Sequence, residues 1–316
     1  MTQTTLNQNV LPEWLRGVLP VLPTPFTYED EVDYAGLHQL VNFAASCGVK
    51  TIVTPAFGSE FYKLDGNERA KVIETAIASG SSRGLRVVVQ CNHATPRTAA
   101  RMAAEAQISG AAAVATALPR GFAVSDRQLL DHARRVCDAT SMPVIVQDWN
   151  PGGKSADAAF FVELSRSCRN FRLAKLEDPE IGETIRAIAR DTGGQVGVLS
   201  GWGGSYCIQQ HRAGLVGLMP GLGLADVFVR IWAHLEAGDQ NAALGLFCDL
   251  SPYLQFSLQT FEQFHHAEKR LLQRRGVLKN ARVRPVTIEL GLESSSYLDL
   301  LADQLTACFK APTLYG

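Results

Sequence analysis

The residue best suited to chemistry in this sequence is Lys175, near the end of an apolar, strand-like segment, with Glu177 two positions later. A lysine amine among apolar neighbours loses its proton more readily than one in water, and the free amine can attack a ketone to form a Schiff base. Strand residues two apart face the same side, so Glu177 is predicted to lie beside that amine as a general acid or base. The alternatives are a lysine that reaches solvent at a strand end and a simple ion pair.

Short β-branched runs alternate with amphipathic helical stretches on both sides of Lys175. This alternation is typical of βαβ units that form a parallel sheet. The amphipathic stretches predict helices at 34–45, 68–78, 95–108, 126–137, 156–167 and 181–189. The β-branched runs predict strands at 17–21, 51–54, 87–90, 113–116, 143–147, 173–176, 196–200 and 216–219.

Eight such units predict a (β/α)8 barrel, a TIM barrel of the α/β class. A doubly wound open sheet is the alternative, but no G-x-G-x-x-G follows the first strand. After residue 221 only helical periodicity remains, at 225–235, 242–261, 265–273 and 296–309. We therefore predict an N-terminal segment (1–16), a barrel (17–222) and a C-terminal helical region packed on the barrel (223–316).

The bulk properties exclude several classes of function. The 316 residues are 46% hydrophobic and 19% charged with a net charge of −1, which does not favour nucleic acid as a partner. No apolar run is long enough to cross a membrane, and the first ten residues have no apolar signal core. Seven dispersed cysteines without a C-x-x-C pair are typical of reduced thiols, so a cytoplasmic location is predicted.

Barrel enzymes place their chemistry in the loops after the strands. Lys175 is the only lysine that an apolar run delivers directly to such a place. The other candidates are the turn of Phe57, Gly58 and Ser59 after the second strand, Gln147 and Asp148 after the fifth, Gly201 after the seventh, and Met219 at the end of the eighth.

Four stretches in order carry a family resemblance. Residues 17–26 end in Thr-Pro-Phe, and residues 48–60 continue to a Leu and a Glu-Arg pair. The third stretch is Leu-Ala-Lys at 173–175, and the fourth is Leu-Ser-Gly at 199–201, followed by residues 213–217. At this spacing the chain resembles the dihydrodipicolinate synthase and N-acetylneuraminate lyase family of lysine-dependent barrels over nearly its whole length from Gly17.

The resemblance implies that Lys175 forms an imine with pyruvate or another 2-oxo acid, with no cofactor and no metal. The protonated imine accepts electrons, so a carbon–carbon bond can form or break, or water can leave. The turn of Phe57, Gly58 and Ser59 would bind the substrate carboxylate through backbone N–H groups. The resemblance also implies a homo-oligomer, a tetramer of paired dimers or a dimer.

The chain departs from the family at the proton relay, which is a threonine and two tyrosines. The two loop threonines of the family fall on Phe57 and Gly58, and the tyrosine of strand five falls on Gln147. The paired tyrosines after strand four fall near Arg120 and Gly121. An amide cannot shuttle protons as a phenol does, so a true dihydrodipicolinate synthase is not expected.

Four side chains are candidates to replace that relay. Glu177 is predicted as the general acid or base, beside Gln147 in the tyrosine's place. Ser59 would restore a hydroxyl, and Asp148 and His93 are further candidates, although His93 could instead cap the next helix.

Three functions follow. The first is a Schiff-base lyase or aldolase acting on a 2-oxo acid. The second is a dehydratase of a 3-deoxy-2-oxo sugar acid through the same imine, and the third is a barrel that binds 2-oxo acids without catalysis. A metal-dependent aldolase is disfavoured because, of the seven histidines, only His93 is predicted at a strand end.

Overall fold

The computed structural model describes residues 11–121 and 123–309. Its strands alternate with helices as the sequence predicts. In the described residues they are β1 (Gly17–Val18), β2 (Thr51–Thr54), β3 (Arg86–Gln90), β4 (Ala113–Ala117), β5 (Val144–Asp148), β6 (Phe171–Leu176), β7 (Gly197–Ser200) and β8 (Gly217–Leu218).

Helices connect these strands and continue beyond the last one. The helices of the described residues are α1 (Tyr34–Ser46), α2 (Gly66–Ser81), α3 (Pro96–Ile108), α4 (Asp126–Asp138), α5 (Ala158–Ser167), α6 (Gly182–Asp191), α7 (Cys207–His211), α8 (Ala225–Glu236), α9 (Gln240–Ser257), α10 (Phe261–Arg274) and α11 (Leu292–Cys308).

The strands form one sheet in the order β1-β8-β7-β6-β5-β4-β3-β2. The predicted (β/α)8 barrel with a C-terminal helical region is confirmed. Every residue of β2, β4 and β5 is buried, which is why these strands show no alternation of polar and apolar residues in the sequence.

Contacts between Cα atoms divide the chain into two compact units. The first holds the described residues up to Gly17 and those within 88–219; the second holds 18–87 and the described residues from Pro220 onward. The predicted boundaries at 16/17 and 222/223 are not tested by this division and stay a prediction. The predicted N-terminal segment lies largely outside the described residues, at 1–10.

In the first unit, β4 pairs with β5, β5 with β6 and β6 with β7, all in parallel. Gln147 of β5 is in register with Lys175 of β6, which is in register with Leu199 of β7. The backbone N–H of Gly17 donates to Val216 O at 2.9 Å and joins the first strand to this unit. In the second unit, Val21 forms parallel bridges with Val53 and Gly221.

Local capping explains several helix ends. The Asp65 carboxylate accepts the N–H groups of Asn67 and Glu68, while the Glu68 side chain accepts Asp65 N–H, and this capping box begins α2. Thr260 Oγ1 accepts Gln263 N–H at 3.0 Å, so α10 begins four residues earlier than its apolar periodicity predicts. No helix of the described residues has the length and apolar character needed to cross a bilayer.

Candidate active site

Lys175 and Glu177 meet at the carboxyl end of β6 in the first unit. Lys175 is 9% exposed, and its Nζ atom lies 3.1 Å from Glu177 Oε1. Both side chains face the same side because they are two residues apart, and Leu173, Ala174 and Leu176 around the lysine are fully buried. A primary amine is thus held beside a carboxylate at the strand end where barrel enzymes carry out their chemistry.

The Glu177 carboxylate is held by donors from three directions. Oε1 faces the Lys175 ammonium and accepts a hydrogen bond from Gln147 Nε2 at 2.7 Å. Oε2 accepts the backbone N–H of Trp202. Each donor stabilises negative charge on the carboxylate and fixes its orientation beside Lys175.

Gln147 reaches Glu177 because it lies on the neighbouring strand in register with Lys175. Its own Oε1 accepts a hydrogen bond from Gln90 Nε2 at 2.6 Å. Gln90, the last residue of β3, was not predicted as a site residue. The signal that marks it is a polar amide at the end of the apolar run Val87–Val89.

Gly201 makes room for the Glu177 carboxylate. A Cβ atom at residue 201 would lie 1.9 Å from Glu177 Oε2 and 2.3 Å from its Cδ, so any residue other than glycine would displace the carboxylate. The next residue, Trp202, has a φ of 46°, a left-handed conformation that is uncommon for a bulky side chain. The structure thus places Gly201 against Glu177, and its predicted role in substrate binding stays a prediction.

Asp148 has protein partners of its own. Arg120 donates from Nε to Oδ1 and from Nη2 to Oδ2, both at 2.8 Å, and Ala156 N–H donates to Oδ2 at 2.6 Å. Asp148 follows Gln147 directly, so the two side chains face opposite sides of β5. This ion pair links the loop after β4 to the end of β5, and the predicted role of Asp148 with substrate stays a prediction.

Two further candidates of the first unit lie at strand ends. Met219 follows β8, is 3% exposed, and donates its N–H to Ser200 O at 3.0 Å. His93 Nδ1 accepts the N–H of Thr95, next to the start of α3, in agreement with a local capping role. No cluster of His, Cys, Asp and Glu that would suit a metal ion occurs in the described ranges.

The second unit contains the turn of Phe57, Gly58 and Ser59. The buried Ser59 hydroxyl donates to Leu22 O at 2.5 Å and accepts Ala56 N–H at 2.9 Å, while Thr24 Oγ1 donates to Ser59 O at 2.7 Å. The Ser59 side chain therefore stabilises the turn. The Phe57 ring stacks on Phe261 with centroids 5.2 Å apart. The predicted contacts of these three residues with substrate stay predictions.

Known proteins share this fold and sequence pattern. The model of the dihydrodipicolinate synthetase family matches residues 14–298. The L-2-keto-3-deoxyarabonate dehydratase of Azospirillum brasilense is 26% identical over 296 residues, which cover 92% of this chain and 94% of that protein. The 4-hydroxy-tetrahydrodipicolinate synthase of Chlorobium luteolum is 32% identical over 165 residues, 51% of this chain and 54% of that protein.

Solved structures agree on the fold. The dihydrodipicolinate synthase of Rhodopseudomonas palustris matches with a TM-score of 0.85 at 22% identity, over 93% of this chain and 99% of that one. YagE of Escherichia coli K12, solved in complex with pyruvate, matches with a TM-score of 0.82 at 22% identity and the same coverage. Because the family model spans nearly the whole sequence, the chain belongs to the dihydrodipicolinate synthetase family and is a Schiff-base-forming enzyme of the lyase class.

Proposed function

We propose that the protein dehydrates a 3-deoxy-2-oxo sugar acid through an imine on Lys175. The observation that carries this proposal is the contact between the Lys175 amine and a Glu177 carboxylate that Gln147 and Trp202 hold in place. The A. brasilense relative, a 2-keto-3-deoxy sugar acid dehydratase, aligns over 94% of its own length and supports dehydration over condensation.

The reaction uses one amine and one carboxylate. Lys175 Nζ adds to the C2 ketone, and loss of water leaves the protonated imine, which makes the C3 protons acidic. Glu177 takes a proton from C3, and the resulting enamine expels the C4 hydroxyl, which leaves as water after taking that proton from Glu177. Hydrolysis of the imine returns the lysine and releases an unsaturated 2-oxo acid, so the net loss is one water.

A retro-aldol reaction is the other chemistry that the same imine supports. It requires a base at the C4 hydroxyl rather than at C3, and the family meets this need with tyrosine. Here the position of the strand-five tyrosine is Gln147, whose amide holds Glu177 and cannot accept a proton. Elimination needs only the carboxylate beside the imine, so the geometry favours dehydration.

Product analysis distinguishes the two reactions. The protein is incubated with five- and six-carbon 3-deoxy-2-oxo acids of both C4 configurations, and products are followed by NMR and by enzymatic detection of pyruvate. Dehydration gives a product of unchanged carbon number and no pyruvate. Release of pyruvate with an aldehyde would overturn the proposal in favour of an aldolase.

Glu177→Gln tests the role of the carboxylate. The amide keeps the size of Glu177 but accepts no proton, so dehydration is expected to fall by about a hundredfold to ten-thousandfold. Imine formation with pyruvate, trapped by borohydride and detected by mass spectrometry, is expected to persist. A variant that still dehydrates at the wild-type rate would remove Glu177 from the mechanism.

We also propose the turn of Phe57, Gly58 and Ser59 as the element that binds the substrate carboxylate through backbone N–H groups. The support is the family pattern together with the hydrogen bonds of the Ser59 hydroxyl, which fix the turn. Ser59→Ala is expected to raise KM for 2-oxo acids more than it lowers kcat, because a loosened turn weakens binding. Unchanged kinetics would argue against this role.

A homo-oligomer and a cytoplasmic location complete the proposal. One solved relative at 17% identity is described as a monomeric variant, so the oligomeric state requires its own measurement, by light scattering of the eluted protein. All seven cysteines are free in the structure, as a reducing compartment would keep them. Cell fractionation tests the location.

A further inference from the structure

Gln90 has a side-chain contact that the catalytic pair alone does not explain. Its side chain is 1% exposed at the end of β3, and its Nε2 donates to Gln147 Oε1 at 2.6 Å. Gln147 Nε2 in turn donates to Glu177 Oε1 at 2.7 Å. Two amides on different strands thus connect the interior of the sheet to the carboxylate beside Lys175.

The direction of these hydrogen bonds is set by chemistry. An ionised carboxylate only accepts, so the end of the Gln147 amide that faces Glu177 has to be the NH2 group. The carbonyl end of Gln147 then needs a donor, and Gln90 supplies it. Without that donor, Gln147 could turn over and present its oxygen to Glu177, where it would pair only with a protonated carboxyl.

We propose that Gln90 is a positioning residue of the active site, which holds Gln147 with its NH2 group toward Glu177 and so fixes the Glu177 carboxylate in its place beside Lys175. The inference rests on the proposed function in one respect, the use of Glu177 as a proton acceptor. It adds a residue on a third strand that controls the position of that acceptor without touching the reacting atoms.

The titratable groups near Glu177 in the described part of the chain include Lys175, Asp178 and Tyr206. Lys175 lies 3.1 Å away on the same strand, and Asp178 follows in the chain. Burial, followed by the charges of Asp178 and Glu177, raises the pKa of Tyr206 after β7, so this phenol stays protonated at neutral pH. Neither amide titrates. A neutral substitution at residue 90 can therefore move a pH profile only through the groups that the amides orient.

The test follows exchange of the methyl protons of pyruvate in D2O as a function of pD, because this reaction needs only the imine and a base. Gln90→Met removes the donor at nearly constant size. Gln90→Glu places an acceptor there, which draws the NH2 group of Gln147 away from Glu177. We expect the acidic limb of the profile to move upward by about one unit in Gln90→Glu, and by less in Gln90→Met.

A double-mutant cycle shows whether the effect passes through Gln147. In a Gln147→Met background, Gln90→Met is expected to produce no further shift of the limb, because the connecting amide is gone. Asn170→Leu is the matched control: this half-buried amide donates to the carbonyls of Cys137, Thr140 and Met142 at the opposite end of β6. It is expected to lower stability and leave the limb in place.

The outcomes separate this inference from the proposed function. If neither Gln90 variant moves the acidic limb while the wild type exchanges pyruvate protons, Gln90 has only a structural role and the inference is overturned. A shift caused by Gln90→Met that persists in the Gln147→Met background also overturns it. If exchange follows this pattern but sugar acids are cleaved to pyruvate instead of dehydrated, the inference stands and the proposed dehydration fails.

Discussion

Two lysine–glutamate pairs, one in each unit, differ in what they leave available for chemistry. In the first unit, Lys175 Nζ lies 3.1 Å from Glu177, and the two side chains are 11% and 8% exposed. In the second unit, Lys269 pairs with Glu60, and the two side chains are 1% and 0% exposed. Burial alone would mark Lys269 as the more perturbed amine.

The Lys269 ammonium is surrounded by a carboxylate, a backbone carbonyl and an aromatic ring. It donates to Glu60 and to Arg282 O at 2.9 Å, and it lies 4.4 Å from the centre of the Phe26 ring. Burial lowers the pKa of Lys269 to about 8, although the charge of Glu60 opposes this effect. Glu60 also receives Lys63 at 3.1 Å. Every group of this pair is committed to holding the second unit together.

Within the described residues Lys175 meets Glu177 without the carbonyl and ring contacts that enclose Lys269, and the Glu177 carboxylate is oriented by other donors. The comparison shows that a lowered pKa does not by itself identify a nucleophile. A nucleophilic lysine also needs some exposure at a strand end and a partner that can take a proton.

The largest expected effect concerns covalent trapping. Lys175→Ala is expected to lose borohydride-dependent labelling by pyruvate completely and to lower turnover by about a thousandfold or more, because Lys175 is the amine that lies beside Glu177 in the described residues. Lys269→Met is expected to be labelled like the wild type, since Lys269 is enclosed by its partners. Peptide mass mapping locates the label. Label found on Lys269 would show that Lys269, and not Lys175, is the nucleophilic lysine.

For stability, substitution of Lys269 is expected to have a larger effect on the free energy of unfolding than substitution of Lys175. Lys269→Met leaves Glu60 with Lys63 as its only charged partner in a fully buried place, which is expected to lower the free energy of unfolding by about 3 kcal/mol. Lys175→Met is the matched control and is expected to change it by about 1 kcal/mol or less, because Glu177 keeps two other donors. Urea unfolding measures both, and equal losses would contradict the distinction.

Gly201→Ala tests whether the position of Glu177 matters as much as its identity. The new Cβ would lie 1.9 Å from Glu177 Oε2, so the carboxylate has to move by about an ångström. Turnover is expected to fall by about a hundredfold while trapping with pyruvate persists. Gly245→Ala in α9, where a Cβ meets nothing within 4 Å, is the control. Full activity in Gly201→Ala would show that Glu177 tolerates displacement.

Much of the fold was predictable because buried parallel strands and amphipathic helices have different periods. The predicted strands β2 to β7 agree with the structure within two residues at each end. The first strand is shorter than its apolar run, Gly17–Val18 instead of 17–21, and Pro20, which has no N–H to donate, lies in that run. The five-residue helix α7 was not predicted because one turn shows no periodicity.

The site was predictable only where residues are close in the chain. The two-residue period places Glu177 beside Lys175 without knowledge of the fold. Gln90 and Gln147 are 57 residues apart, and Glu60 and Lys269 are 209 apart. Such contacts depend on strand register and on helix packing, which composition and spacing do not determine. The need for glycine at residue 201 likewise follows from a side chain 24 positions earlier.

The smallest expected effect is the pH dependence of the second unit. Glu268, next to Lys269 in α10, is fully buried, and burial raises its pKa to about 7, although the N–H groups of Gly223 and Leu222 oppose this shift. A carboxyl whose folded-state pKa exceeds its unfolded value holds its proton more tightly in the fold. Its contribution to stability is therefore full below about pH 4.5 and is lost as the pH rises to about 7.

Glu268→Gln isolates this contribution, because glutamine can still accept Gly223 N–H and does not ionise. The free energy of unfolding of the variant, relative to that of the wild type, is expected to rise by about 2 kcal/mol from pH 5 to pH 8. Other titrating groups, such as Lys269, are present in both proteins, so their contributions cancel in this difference. Urea unfolding at the two pH values measures the gain. The pD profile of pyruvate proton exchange is expected to stay unchanged, because this carboxyl stabilises the second unit and takes no part in the chemistry at Lys175. A gain in stability together with a displaced exchange profile would show that the two lysine–glutamate regions are coupled rather than independent.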